Sequence, residues 1–206
     1  GDAAAPQLWL VVARAGGILG VVMAFRLAHR IAGPAAGAIA AGGLLLAEDY
    51  VRNAQLGNSE PLLVGLTLFA VERHLDGRRG QAFALGVGAA LLRPEIWPFL
   101  GLYGLWLMRE APARARAAIV AAGAAVLALW FVPEWVGSGN FLRAADRARE
   151  PNLDSAAFAE HPALEVLSQS AGVLPLPLLV GALAAVVVPE RHRRLTHALA
   201  AAAVTL

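Results

Sequence analysis

Long apolar stretches broken by short polar turns set the rhythm of this 206-residue chain. Apolar runs fall at roughly 7–25, 31–47, 58–71, 80–92, 96–108, 117–132, 173–188 and 195–206. Read as helices, they predict an all-α fold: a polytopic transmembrane bundle of about seven or eight membrane segments. Several runs are shorter than the ~20 residues an upright helix needs to cross the hydrocarbon, so they must extend into their flanks. The pair around "LLRPEIW" reads as a short hairpin that does not fully cross. The first run has no basic residues ahead of it and more apolar runs behind it, unlike a signal peptide. Residues 1–206 form one transmembrane domain on this reading, with a single long loop at 133–170. Gly1 follows no initiator Met and Leu206 stops mid-run, so a fragment of a longer polytopic protein is expected.

Composition strengthens the membrane reading. The chain is 58% hydrophobic and 16% charged, and its mean hydropathy is +0.60. A soluble domain is nearer half apolar and a quarter charged, and one core of this size cannot hide the excess. Cysteine is absent, which excludes disulfides and thiolate metal sites. All 17 basic residues are Arg, alongside heavy Ala and Gly, the mark of GC-rich coding in a bacterium. A pI near 9.9 would suggest nucleic acid in a soluble chain, but here the Arg residues sit between apolar runs, where they report topology. No nucleic-acid partner is expected.

Charge then orients the segments. If the first run ends inside, eleven Arg face inward (26, 30, 73, 78, 79, 109, 114, 116, 191, 193 and 194) beside four acids, leaving six Arg and eleven acids for the other side. Positive residues mark the cytoplasmic side, and the bias recurs in four separate segments. Segments 48–57, 93–95 and 133–170 are therefore expected outside the cell membrane. Gly16/Gly20, Gly33/Gly37 and Gly86 with Ala90 have the small-xxx-small spacing of close helix packing in lipid.

Chemistry concentrates on that outer side. The stretch "AEDYVRNAQLGNSEP" brings Glu48, Asp49, Arg52, Asn58 and Glu60 within 13 positions. Charged groups beside hydrocarbon usually face a protein interior or a watery cavity. Glu48 and Asp49 are expected to end one span, and Glu60 to open the next before Pro61, with Asn58 or Ser59 as N-cap. The plain alternative is that these residues only cap helices and favour the dipole. Arg93 and Glu95 flank Pro94, where freed backbone at membrane depth would line a cavity. Arg93 is suited to pair with Glu95 or with a carboxylate of the first cluster, or to bind phosphate; a structural turn with an ion pair is the alternative. In the long loop, 140–150 fits an amphipathic surface helix exposing Arg143, Asp146 and Arg147. His161 is the one outer histidine, a candidate base or metal ligand, although an isolated loop histidine is more often neither. His192 and His197 do not stack on one helix face, and no P-loop supports ATP use.

In the order of these features, residues 10–108 resemble the membrane core of the GT-C fold glycosyltransferases, polytopic enzymes that take a sugar from a polyprenyl-phosphate carrier. An early span ends in a basic turn, a small-residue span returns outside, "NSEP" opens the next, a basic turn follows, and then "LLRPE". The resemblance implies transfer of a hexose, mannose-like or pentose unit to a glycan, lipid or protein acceptor at the extracytoplasmic face. It places Glu48, Asp49 and Glu60, the candidate catalytic carboxylates, in an outer loop that contributes to the active site, and Arg93 and Glu95 near the carrier's path; Arg52, Asn58 and His161 are added as candidate binding residues from the reading of the residues themselves. The family's principal carboxylate would lie upstream of Gly1, Asp2 being at most the tail of its loop. A cation must meet the charge growing on the leaving phosphate, either Arg or a carboxylate-bound divalent metal ion. The rival readings are a secondary transporter, which would hold its ionisable groups nearer the bilayer midplane, and a non-catalytic membrane protein.

Overall fold

The computed structural model describes residues 4–143, 146 and 156–173. The apolar runs at 173–188 and 195–206 and most of the helix expected at 140–150 lie outside the described residues. Every regular element within them is helical: α1 (Ala4–Ala32), α2 (Pro34–Leu46), α3 (Glu48–Leu56), α4 (Glu60–Leu75), α5 (Arg79–Leu92), α6 (Trp97–Met108), α7 (Ala113–Ser138) and α8 (Pro162–Val173). Single 3-10 turns occupy Pro94–Ile96 and Ala156–Phe158.

Small residues decide the packing. A Cβ added at Gly16 would stand 2.5 Å from Leu62 Cβ, and one at Gly65 would stand 3.0 Å from the Gly16 carbonyl and the Gly20 amide. Only glycines allow α1 and α4 this approach. Farther along, Arg26 meets Glu72 and Arg30 meets Asp76, so the two helices run parallel. Helix α2 returns along the other flank of α1, with Gly37 against the Phe25 carbonyl. Helix α5 returns along α4, and α6 and α7 pack beyond it, where Trp97 meets Trp130 edge-on at 5.8 Å. Gly16/Gly20 and Gly37 thus pack as their spacing predicts. Gly33 does not: it turns the chain between α1 and α2 at φ 92°, a conformation that favours glycine.

The distribution of side-chain size is inverted relative to a water-soluble core. The buried apolar residues are largely alanines (Ala13, Ala24, Ala28, Ala40, Ala89 and Ala90 among them), while Leu46, Phe99 and Ile18 are 87%, 71% and 68% exposed. Two helices among the described residues, α1 and α7, are long and apolar enough to cross a membrane. The most apolar window of α7 is only 6% buried, unlike the core helix of a soluble protein. The other apolar runs fold into shorter helices: α2, α4, α5 and α6 have 13, 16, 14 and 12 residues, or ~18–24 Å of rise. Full span length is therefore met twice among the described residues, not seven or eight times.

Two boundaries differ from expectation. Helix α7 continues through Pro133 to Ser138, so the connection expected from 133 starts later. Proline forfeits one amide bond, but the ladder resumes, and the Gly139 N–H donates to the Trp135 carbonyl at 2.8 Å. The segment after Ala47 is not a loop either; it forms α3.

Helices and turns sort the charges to two ends. At one end Glu72, 5% exposed, accepts from Arg26 and Arg73, each at 2.8 Å, and Arg73 also reaches Asp76 at 2.9 Å. The hydrogen bond from Arg30 holds the Asp76 carboxyl below its usual range, helped by the nearby charges of Arg73 and Arg78. Arg79, Arg109, Arg114 and Arg116 follow at the same end, in the α4–α5 turn and around the α6–α7 turn. The opposite end carries α3, the N-terminus of α4 and the 94–96 turn.

Candidate functional site

The opposite end gathers most of the residues singled out by the sequence. Ala47, in extended conformation, is the only residue between α2 and α3. Glu48 and Asp49 therefore open α3 rather than close a span, because two acids suit the positive end of a new helix. Gly57 ends α3 at φ 79°, and its carbonyl accepts from Trp9 Nε1 at 2.7 Å. Tyr50 fixes the other side: its hydroxyl donates to the Gly17 carbonyl at 2.7 Å, and burial pushes its pKa up to about 12. These anchors turn Glu48, Asp49, Arg52 and Gln55 outward, all exposed. No hydrogen bond or ion pair joins Glu48, Asp49 or Arg52 to one another or to Glu60.

Glu60 begins α4 immediately before Pro61, as expected. Neither expected cap is made. Ser59 has helical backbone angles and no capping hydrogen bond, and Asn58 instead donates through Nδ2 to Asn53 Oδ1 at 2.6 Å. The partner of Glu60 comes from elsewhere in the chain. Arg93, held extended by the following Pro94, ends α5 and donates from Nη2 to Glu60 Oε1. Of the two pairings open to Arg93, the structure takes the one across 33 residues, and Glu95 stays exposed. Glu60 Oε2 is shut off from solvent and has no hydrogen-bond partner.

A groove of ≈ 680 Å³ runs between α4, α5 and α6, and the pair lies beyond its lining, one turn past Ala89 on α5 and two turns before Thr67 on α4. Glu60 shares a helical stripe with Thr67, Val71 and His74, at spacings of seven, four and three. Arg93 shares one with Ala82, Gly86 and Ala89 on α5. Ile96, Phe99, Tyr103 and Trp106 form the third wall. From Thr67 to His74 the groove follows ~10 Å of α4. Its far end is marked by a polar contact that sequence reading missed: His74 Nδ1 and the Tyr103 hydroxyl lie 2.8 Å apart. The seven-residue interval from Glu60 to Thr67 to His74 was the available signal.

His161 is not brought to this site. It is exposed just before α8, and among the described elements α8 touches only the 156–158 turn. Nor do the acids fit a metal ion, since no group of three His, Asp or Glu gathers closely enough among the described residues. What the arrangement offers is a guanidinium with a bound carboxylate, in register with an apolar slot that begins one to two turns away, and flanked in the chain by exposed acids on α3. Comparisons with protein families, curated proteins and solved structures find no match to this chain.

Proposed function

We propose that this chain is part of a multi-pass membrane glycosyltransferase that takes a sugar from a polyprenyl-phosphate carrier at the extracytoplasmic face. The observation that carries the reading is the Glu60–Arg93 pair, in helical register with the α4 and α5 walls of the groove and one to two turns beyond them. A polyprenyl-phosphate sugar has an apolar tail joined to an anionic head, and here an apolar wall lies in register with a guanidinium. Large residues outward and alanines inward suit lipid as the solvent, because packing in a bilayer rewards small interfacial residues. The order of features over residues 10–108, similar to the GT-C enzymes, supports the same reading.

In the reaction, the acceptor hydroxyl attacks the anomeric carbon as the bond from that carbon to the phosphate oxygen breaks. Polyprenyl phosphate leaves with the bonding electrons, and the hydroxyl proton passes to a carboxylate. Arg93 meets the charge growing on the phosphate, as a positioned guanidinium does well. Glu60 orients Arg93, while Glu48 and Asp49, exposed on α3, are the carboxylates free to take a proton. Arg52, Asn58 and Glu95 line the approach of sugar and acceptor.

The test is the chain-length dependence of the donor in the full-length enzyme. Thr67 is exposed at the end of the groove nearest Glu60, so Thr67→Trp should raise KM for a long polyprenyl-phosphate sugar about tenfold with little change for a donor of one or two isoprene units. Equal KM changes for both donors would remove the groove from the site. Absence of transfer with every such donor, together with solute flux in liposomes, would favour the transporter.

Orientation has its own check, to which residues 1–206 contribute no background thiol. A Gln55→Cys variant should react with an impermeant thiol reagent added to intact cells, and Arg109→Cys should not. The reverse labelling would place the Glu60–Arg93 pair at the cytoplasmic side.

A further inference from the structure

A second cleft, of ≈ 580 Å³, opens at the basic end of the bundle and has no part in sugar transfer. Its walls are one face of α5 (Gly80, Phe83, Ala84 and Val87) and one face of α7 (Ala115, Ala118, Ile119 and Ala122). Both faces follow helical spacing, and both are apolar. Its mouth differs sharply. Arg79 lies over the Trp106 ring, 4.7 Å from the centroid, and Arg116 Nε donates to the carbonyl of Ala111, itself a lining residue. The turns that frame the mouth, 77–80 and 109–116, contain Arg78, Arg79, Arg109, Arg114 and Arg116 against one acid, Glu110. Glu110 is 85% exposed and stands 3.7 Å from Arg79, an exposed pair that neutralises little.

The backbone adds to this field. Helices α5 and α7 both begin here, and neither has an acid in its first turn. Their free amides therefore present two positive dipole ends to the mouth. An apolar cleft under a rim of guanidinium groups and helix N-termini matches a molecule with an acyl chain and an anionic head.

We infer that this cleft is a binding site for an anionic phospholipid of the surrounding bilayer, its acyl chain between α5 and α7 and its phosphate at Arg79 and Arg116. The inference rests on the membrane part of the proposed function and not on sugar transfer. Phosphate binds at the fork of an arginine and at helix N-termini for the same electrostatic reason. Small side chains on both walls leave the room, since a Cβ added at Gly80 meets nothing within 4 Å.

The experiment uses the full-length protein in nanodiscs of equal phosphatidylglycerol and phosphatidylcholine, with retained lipids counted by native mass spectrometry. The expected result is phosphatidylglycerol enriched about fivefold over the bilayer ratio. Replacing Arg79→Gln together with Arg116→Gln should return the ratio to that of the bilayer. Ala84→Leu, which fills the wall and keeps the charges, should remove one retained lipid. Arg14→Gln, at the other end of the bundle, should leave the enrichment intact. No enrichment in the unaltered protein, enrichment that survives the double substitution, or equal loss with Arg14→Gln would overturn the site. Protein that never enters the bilayer would overturn the membrane reading as well, whereas inserted protein without a lipid preference would overturn this inference alone.

Discussion

Arg93→Ala is expected to lower sugar transfer about 100-fold in the full-length enzyme, chiefly in kcat, with the protein still inserted at normal levels. The magnitude follows from what a positioned donor contributes where charge develops: removing one costs about 10²–10³ in rate. Arg93 is pre-aimed, because Pro94 keeps its backbone extended and Glu60 Oε1 holds its guanidinium. In the proposed reaction the leaving phosphate would therefore meet a donor that need not reorganise. Glu60→Gln keeps a hydrogen-bond acceptor but removes the charge that fixes the guanidinium, so a smaller loss, about tenfold, is expected. Arg93→Lys should recover only part of the rate, since an ammonium lacks the planar fork. Initial rates with saturating donor, normalised to inserted protein, give the measurement. Unchanged rates in Arg93→Ala and Glu60→Gln would leave the pair a structural clasp and remove it from the site.

The second large effect is on stability, and it changes sign with position. Glycine to alanine within a helix usually stabilises by about 0.5–1 kcal/mol, through the backbone entropy it removes. Gly42 lies inside α2 with open space where its Cβ would go, so Gly42→Ala should show that gain. Gly16→Ala should do the opposite. Its new methyl would stand 2.5 Å from Leu62 Cβ and 2.6 Å from Leu62 Cα, and the backbone atom cannot swing away as a side chain can. Overpacking of this kind typically costs about 1–3 kcal/mol. Thermal midpoints in one detergent should therefore move upward for Gly42→Ala and downward for Gly16→Ala. A stabilised Gly16→Ala would mean that α1 and α4 do not approach this closely.

Most helices were legible because their apolar runs are long: α1 outgrows its run at both ends and α4 at its C-terminal end, while α5 and α6 stay within one residue of theirs. The sorting of Arg26, Arg73, Arg79 and Arg109 to one end was legible too, because the turns that carry them alternate along the chain. Helix α3 was hidden by its polarity. A search for apolar runs passes over "EDYVRNAQL", although the leading acids and the trailing Gly57 are start and stop signals. Glu60 and Arg93 were visible as candidates, and their pairing as one of two options. Choosing between them required knowing that α4 and α5 are adjacent and antiparallel, a long-range fact. The anchoring roles of Trp9 and Tyr50 were illegible for the same reason, since their acceptors, the Gly57 and Gly17 carbonyls, lie 48 and 33 residues away.

The close crossing of α1 with α4 also sets a schedule for synthesis. These helices are parallel, so they cannot form together as a hairpin. When α1 and α2 have left the ribosome, Gly16 and Gly20 are still uncovered, with their partner surface unmade. Some 45 residues separate Gly20 from Gly65, which at ~5–20 residues per second is a wait of ~2–9 s. Through that interval the most glycine-rich face of α1 is open to any neighbouring helix, including another nascent copy of itself, until Tyr50 covers Gly17 and Gly20 and the arrival of Leu62 and Gly65 completes the closure.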